Sequence, residues 1–151
     1  EVLRFALSKE GFTVSEAENG AQALERFEAA RADLVVLDIL MPELDGYETL
    51  GQIKRDSALR HIPVIMISAV DEMDSVIRCI DMGATDYLPK PFNAALLQAR
   101  LNASLASKRL RDLELEYLEQ VMPSAIFLFL DIKFRARLQI LINRRSTLHR
   151  F

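Results

Sequence analysis

Two short apolar runs constrain this chain more than any other feature. Leu34-Val35-Val36-Leu37 and Val64-Ile65-Met66-Ile67 are continuous rather than alternating, short, and rich in β-branched residues. Strands covered on both faces carry that signature. Asp33 and Asp38 flank the first run and Ser68 closes the second. Around them the pattern turns helical. Glu1 to Glu10 reads as a helix ending at Gly11, Phe12 to Ala17 as a short alternating strand, and the segment after Asn19-Gly20 as an amphipathic helix through Ala23, Leu24 and Phe27. Helices are expected again from Tyr47 to Ile53 and from Asp71 to Met82, the latter stopped by Gly83, and Tyr87-Leu88 before Pro89 gives one more brief strand.

Strands alternating with helices of this length imply right-handed crossovers and a mostly parallel sheet with helices on both faces. The fold class is therefore α/β, doubly wound. From Asn93, a suitable N-cap, the chain can stay helical as far as Met122 without Gly or Pro, too long for the rim of a small domain. The expected domains are a core over 1–92, a last helix and linker over 93–122, and a tail over 123–151.

Charge separates those parts. Residues 1–122 hold 13 Lys and Arg against 21 Asp and Glu, whereas residues 123–151 hold 6 against 1. The acidic first part argues against a nucleic-acid surface there, because phosphate backbones demand clustered cations. One cysteine, Cys79, excludes an internal disulfide and a thiolate metal site, which suits a reducing cytoplasmic setting. No apolar run approaches the length of a membrane span, and no signal peptide opens the chain. The start at Glu1 reads as that of an excised or incomplete piece.

In open parallel sheets, ligands sit beyond the carboxyl ends of the strands. Here those ends are Asp38, Ser68 and Lys90. If the three strands are neighbours, a carboxylate, a hydroxyl and an ammonium converge on one pocket. Asp38 is then a nucleophile, with Ser68 and Lys90 binding the oxygens of an incoming anion. Phosphoryl transfer to the carboxylate fits that trio, because a lysine offsets the charge repulsion between carboxylate and phosphate. A divalent cation would offset more, but Mg²⁺ normally wants more than one carboxylate.

The segments LVVLDILMPELDGYETL, IPVIMISA and ATDYLPKPF are similar, in order, to the core motifs of the receiver domain of two-component response regulators. The resemblance implies a flavodoxin-like receiver fold. It makes Asp38 the phosphoacceptor, the Leu40 backbone carbonyl a metal ligand beside Asp38, and Lys90 the phosphate-binding lysine. Ser68 and Tyr87 become the switch hydroxyl and switch aromatic, and Pro91 the family's cis proline. Small Ala69 leaves the phosphoryl group room. It further implies a sensor histidine kinase or phosphotransfer protein as donor, Mg²⁺ as cofactor of an intact parent, a downstream output module, and no enzyme activity of its own. The family's first strand, with its acidic pair, would precede Glu1. That strand belongs between the one at Phe12–Ala17 and the one ending in Asp38, so two apolar strand edges are expected to lie open. Nothing in the spacing of Glu16, Glu18 and Glu43 makes them substitutes for the pair. Weak Mg²⁺ affinity and poor phosphorylation are expected of this chain.

Other readings stand beside these. Tyr87 suits core packing as well as a switch, Cys79 suits a buried helix face, His61 a solvated loop, and Asp71, Glu72 and Asp74 the first turn of a helix. A phosphorylation-independent pseudo-receiver, acting as an interaction or dimerisation module, is the rival function. A phosphatase-like enzyme would need a further acid or base near Asp38, and Ile39-Leu40 supplies none. A heptad through Leu96, Ala99, Ala103, Ala106, Leu110, Leu113 and Tyr117 suggests a coiled-coil seam or signalling linker, against a lone amphipathic helix. Homodimers are expected through that seam or through the face of helix 71–82 and the strand at Tyr87. The tail has three readings: the start of an output domain, a basic amphipathic segment, or non-native sequence. Its Arg135, Arg137, Arg144 and Arg145 carry no nucleic-acid signature.

Overall fold

The computed structural model describes residues 2–30, 32–69, 73–121 and 137–141. Helix α1 (Val2–Lys9) leads into β1 (Thr13–Ala17), α2 (Gly20–Ala30), β2 (Leu34–Asp38), α3 (Gly46–Arg55) and β3 (Val64–Ser68). Then come α4 (Met73–Asp81), β4 (Asp86–Pro89), the long α5 (Ala94–Val121) and β5 (Arg137–Leu141). Every strand pairing is parallel, and the order across the sheet is β1-β5-β2-β3-β4.

Local chemistry sets the element ends. Gly11 and Gly83 take positive φ, of 87° and 94°, where α1 and α4 stop. The Asn93 side chain accepts from the Leu96 backbone N–H at 2.7 Å and so caps α5. At α3 the cap is reciprocal: Asp45 accepts from the Glu48 N–H at 2.8 Å, while Glu48 accepts from the Asp45 N–H.

The two apolar runs are buried along their whole length, so each sends alternate side chains to opposite faces. Val35, Leu37, Val64 and Met66 pack with Ala23, Phe27, Leu50, Ile53 and Cys79 from α2, α3 and α4. On the other face Leu34, Val36, Ile65, Ile67 and Leu88 meet Leu7 of α1 and Leu97, Leu101 and Leu105 of α5. This is the doubly wound arrangement expected from the alternation of elements.

One expectation about the sheet is corrected. The edges of β1 and β2 do not lie open, because β5 lies between them with Ser15 opposite Gln139 and Leu37 opposite Leu141. The physical reason is a general one. β2 is covered on both faces, where unpaired backbone N–H and C=O groups find no water, so an extended segment that reaches the gap completes two ladders at once. The rest of the tail, residues 123–136 and 142–151, lies outside the described residues, as do Asp71 and Glu72.

Helix α5 has 28 residues, about 42 Å at 1.5 Å per residue. Its first half packs on the sheet through Leu97, Leu101 and Leu105. The same face then turns polar, with the Lys108 ammonium 2.6 Å from Asp112 and 3.5 Å from Asp33. Further along, Leu110, Leu113, Leu115, Tyr117 and Leu118 are exposed. No described helix is long and apolar enough to cross a membrane.

Candidate functional site

Asp38 is the last residue of β2 and its side chain is 1% exposed. A carboxylate so placed needs partners for both oxygens. Oδ2 accepts from the Lys90 ammonium at 2.6 Å, and Oδ1 from the Leu40 N–H at 3.2 Å. Lys90 reaches across from the end of β4, with its side chain 21% exposed, so its charge is available to an anion arriving from solvent. Ser68 is buried at the end of β3, the strand between them, and its carbonyl oxygen accepts from the Lys90 N–H at 2.7 Å. The Lys90–Pro91 peptide is cis, as the resemblance implied.

Tyr87 is buried, in contact with the α2–α3–α4 face of the core. Leu40 belongs to the loop after β2 and its side chain is exposed. The loop is held in a tight arc, with Ile39 N–H bonded to the Ile67 carbonyl and Gly46 N–H bonded to the Ile39 carbonyl, each at 3.0 Å. At Gly46 a Cβ would overlap the Asp38 carbonyl oxygen and stand 2.7 Å from the Ile39 Cα, so only glycine lets α3 begin this close to the carboxylate's own backbone. Glu43 sits in the same loop at φ 65° and accepts from the Asn19 side chain at 2.8 Å, tying the loop after β1 to the loop after β2.

Among the described residues no group of three or more His, Cys, Asp or Glu gathers as a metal site. Asp38 and the Leu40 carbonyl amount to one carboxylate and one neutral oxygen, and the carboxylate is already occupied. That donor set falls short of what an octahedral hard cation takes from a protein. Glu16, Glu18 and Glu43 do not join Asp38 in such a group.

Two residues that shape the surroundings escaped sequence reasoning, one beside the site and one at the far end of β4. Gly46 follows Asp45 in a stretch that reads simply as a helix start, and the signal for its role was only the Asp-Gly pair itself. Arg100 of α5 grips Asp86 at the start of β4, at 2.9 Å, a pairing that only the fold reveals. Away from the site, an open cleft of about 440 Å³ separates α3 from α4, lined in part by Tyr47, Arg55, Arg78 and Met82. The Arg78 guanidinium stacks 4.0 Å from the Tyr47 ring. Buried Cys79 has its thiol pushed up by burial, against the opposing pull of a Tyr47 hydrogen bond and the Arg78 charge. The cleft touches none of Asp38, Ser68 and Lys90.

Comparison with known proteins identifies the family of this fold. The sequence profile of the response regulator receiver domain matches residues 1–102. The chain belongs to the response regulator receiver family. It is 41% identical over 112 residues to response regulator MprA of Mycobacterium ulcerans, covering 74% of this chain and 47% of that protein. It is 39% identical over 105 residues to the transcriptional regulatory protein CseB of Streptomyces coelicolor, covering 70% of this chain and 44% of that one. This receiver thus spans about half the length of the curated relatives it matches. Among solved structures it resembles the signal receiver domain of a signal transduction histidine kinase from Syntrophus aciditrophicus. There the TM-score is 0.66 and the identity 26%, with 87% of this chain and 89% of that one covered.

Proposed function

We propose that this receiver accepts a phosphoryl group on Asp38 from a histidine kinase or phosphotransfer protein and relays the change to a downstream module. The observation that carries the reading is the buried Asp38 carboxylate held 2.6 Å from a partly exposed lysine, with Ser68 on the strand end between them. An Asp38 oxygen attacks phosphorus and forms the O–P bond. The bond from phosphorus to the donor's imidazole nitrogen breaks, and its electron pair stays with the imidazole. Lys90 then leaves its ion pair with the free carboxylate for an ion pair with the phosphoryl oxygens, and the Ser68 hydroxyl donates to another of them. Such a pull on Ser68 changes the packing beside Tyr87 at the α4–β4 face, and signalling follows as a population shift. A divalent cation held beside Asp38 would supply further neutralisation of the phosphoryl charge. In this chain Asp38 and the Leu40 carbonyl are the ligands on offer, so weak Mg²⁺ binding and slow phosphorylation are expected.

Incubation of the full chain with radiolabelled acetyl phosphate tests the assignment. Slow labelling that hydroxylamine removes, and that Asp38→Asn abolishes, is the expected result. Label that persists in Asp38→Asn, or a chain that never labels above background, overturns it. The second outcome favours the pseudo-receiver reading, which the lack of a grouped set of acids among the described residues also supports.

For output, the heptad residues Leu96, Ala99, Ala103, Ala106, Leu110, Leu113 and Tyr117 are all exposed, on the side of α5 away from Leu97, Leu101 and Leu105. That second apolar stripe suits a parallel pairing with α5 of another copy, and a linker role for the helix. Cysteine at Leu113 should trap disulfide dimers, and a strictly monomeric product counts against the seam.

A further inference from the structure

We propose that the gap between β1 and β2 is a strand-acceptor site, which binds an extended aliphatic segment in parallel register and exchanges it. Its occupant here is the chain's own Arg137–Leu141. All five residues of β1 and four of β2 have partners in β5, so the occupant is held by backbone ladders on both sides. Recognition of that kind rests on main-chain hydrogen bonds and tolerates varied sequence. It requires five extended residues without proline, and the present occupant shows that polar residues between aliphatic ones are accepted.

The occupant arrives from far away in sequence. α5 begins after β4 at the carboxyl edge of the sheet and passes Asp33 at the amino edge, where Lys108 meets it. Some nine further residues carry it about 14 Å beyond Asp112. Residues 122–136 can span at most about 50 Å, which is ample for a return to the amino edge, where a parallel β5 must enter. The strand's occupancy is therefore set by an effective concentration of about millimolar order, and a free segment of the same chemistry competes with it. None of this depends on phosphoryl transfer at Asp38.

Two measurements on the full chain, with Cys79→Ala as background, test the proposal. Ser15→Cys with Gln139→Cys joins register partners, whereas Ser15→Cys with Arg137→Cys is offset by two residues, beyond disulfide reach. The matched pair should oxidise to an intrachain disulfide at monomer mass. Crosslinking no better than the offset pair, or only between chains, overturns the assignment. A fluorescent synthetic peptide of residues 134–145 should bind the full chain carrying Ile140→Pro at least tenfold more tightly than the unaltered chain, because proline removes the competing ladder. Should that variant fail to fold, the matched-pair protein gives the same comparison. Its reduced form should take up the peptide at least tenfold better than its oxidised, locked form. Equal uptake by locked and reduced chains overturns exchange.

Discussion

The two ends of the parallel sheet use charge in opposite ways. At the carboxyl end one buried acid, Asp38, meets one ammonium at 2.6 Å, and that cation remains partly open to solvent. At the amino end cations predominate and are spent on architecture. Lys54 donates to the Arg60 and Ile62 carbonyls at 3.1 and 2.8 Å, closing the loop into β3. Burial, and then the Arg111 charge, push its ammonium pKa down. Lys108 links α5 to Asp33. The lesson is that proximity of charges alone does not make a site. What distinguishes the carboxyl end is an acid without access to water beside a cation that has it.

The largest effect that can break this contrast is expected at Lys90. Lys90→Ala leaves the Asp38 carboxylate buried without its counter-charge and should cost about 3 kcal/mol in urea unfolding. Asp38→Asn should cost far less, since Lys90 can turn to solvent. Equal costs would mean that the pair is no more than a surface bridge.

A smaller effect sharpens the comparison from the other direction. Leu141 lies opposite Leu37, so the chain leaves β5 level with Asp38. Acids installed at the next two positions in sequence, Ile142→Asp with Asn143→Asp, should raise Mg²⁺ affinity about tenfold in a fluorescence or calorimetric titration, worth about 1.4 kcal/mol. An unchanged affinity would show that the strand position does not by itself create the metal site.

The smallest effect belongs to the amino end. His61 has its pKa lowered by burial and by Lys108, Arg111 and Lys54, with Asp112 opposing. The unfolded chain then binds the proton more readily than the folded one. The stability tied to this group is thus present above the ordinary histidine value of about 6.5 and declines as pH falls through it, levelling off below the folded-state pKa. His61→Gln should flatten that part of the stability profile slightly. A steeper profile in the variant would contradict the sign.

Much of this architecture is written locally. β2 and β3 are legible because a four-residue apolar run covered on both faces has few other fates, Asp38 and Ser68 because each ends such a run, and Lys90 because it closes the brief Tyr87-Leu88-Pro89 segment. Asn93 announces α5 through its capping side chain. β5 is different. Arg137-Leu138-Gln139-Ile140 continues an alternation of polar and apolar residues that begins well before it in sequence, a strand's period, but that pattern does not say where the strand goes, and what places it is a gap between two distant neighbours. Gly46 is hidden for a related reason, since its necessity comes from the backbone of Asp38 and Ile39 rather than from its own surroundings in sequence. Tyr87 stands between the two cases. It is buried in the same cluster as Met66 and Cys79, which meets the core-packing reading of an aromatic in a short strand and leaves the switch role to the proposal above.

The position of β5 also bears on how the molecule is made. A ribosome delivers β1 long before β5, with four helices and three strands between them, yet the two are immediate neighbours. Between those two events the nascent chain must therefore carry a divided sheet, and the Asp38 region can reach its finished form only when residue 141 has cleared the exit tunnel. Contacts of such long sequence separation are slow to form, which lengthens the time the divided sheet is exposed to chaperones.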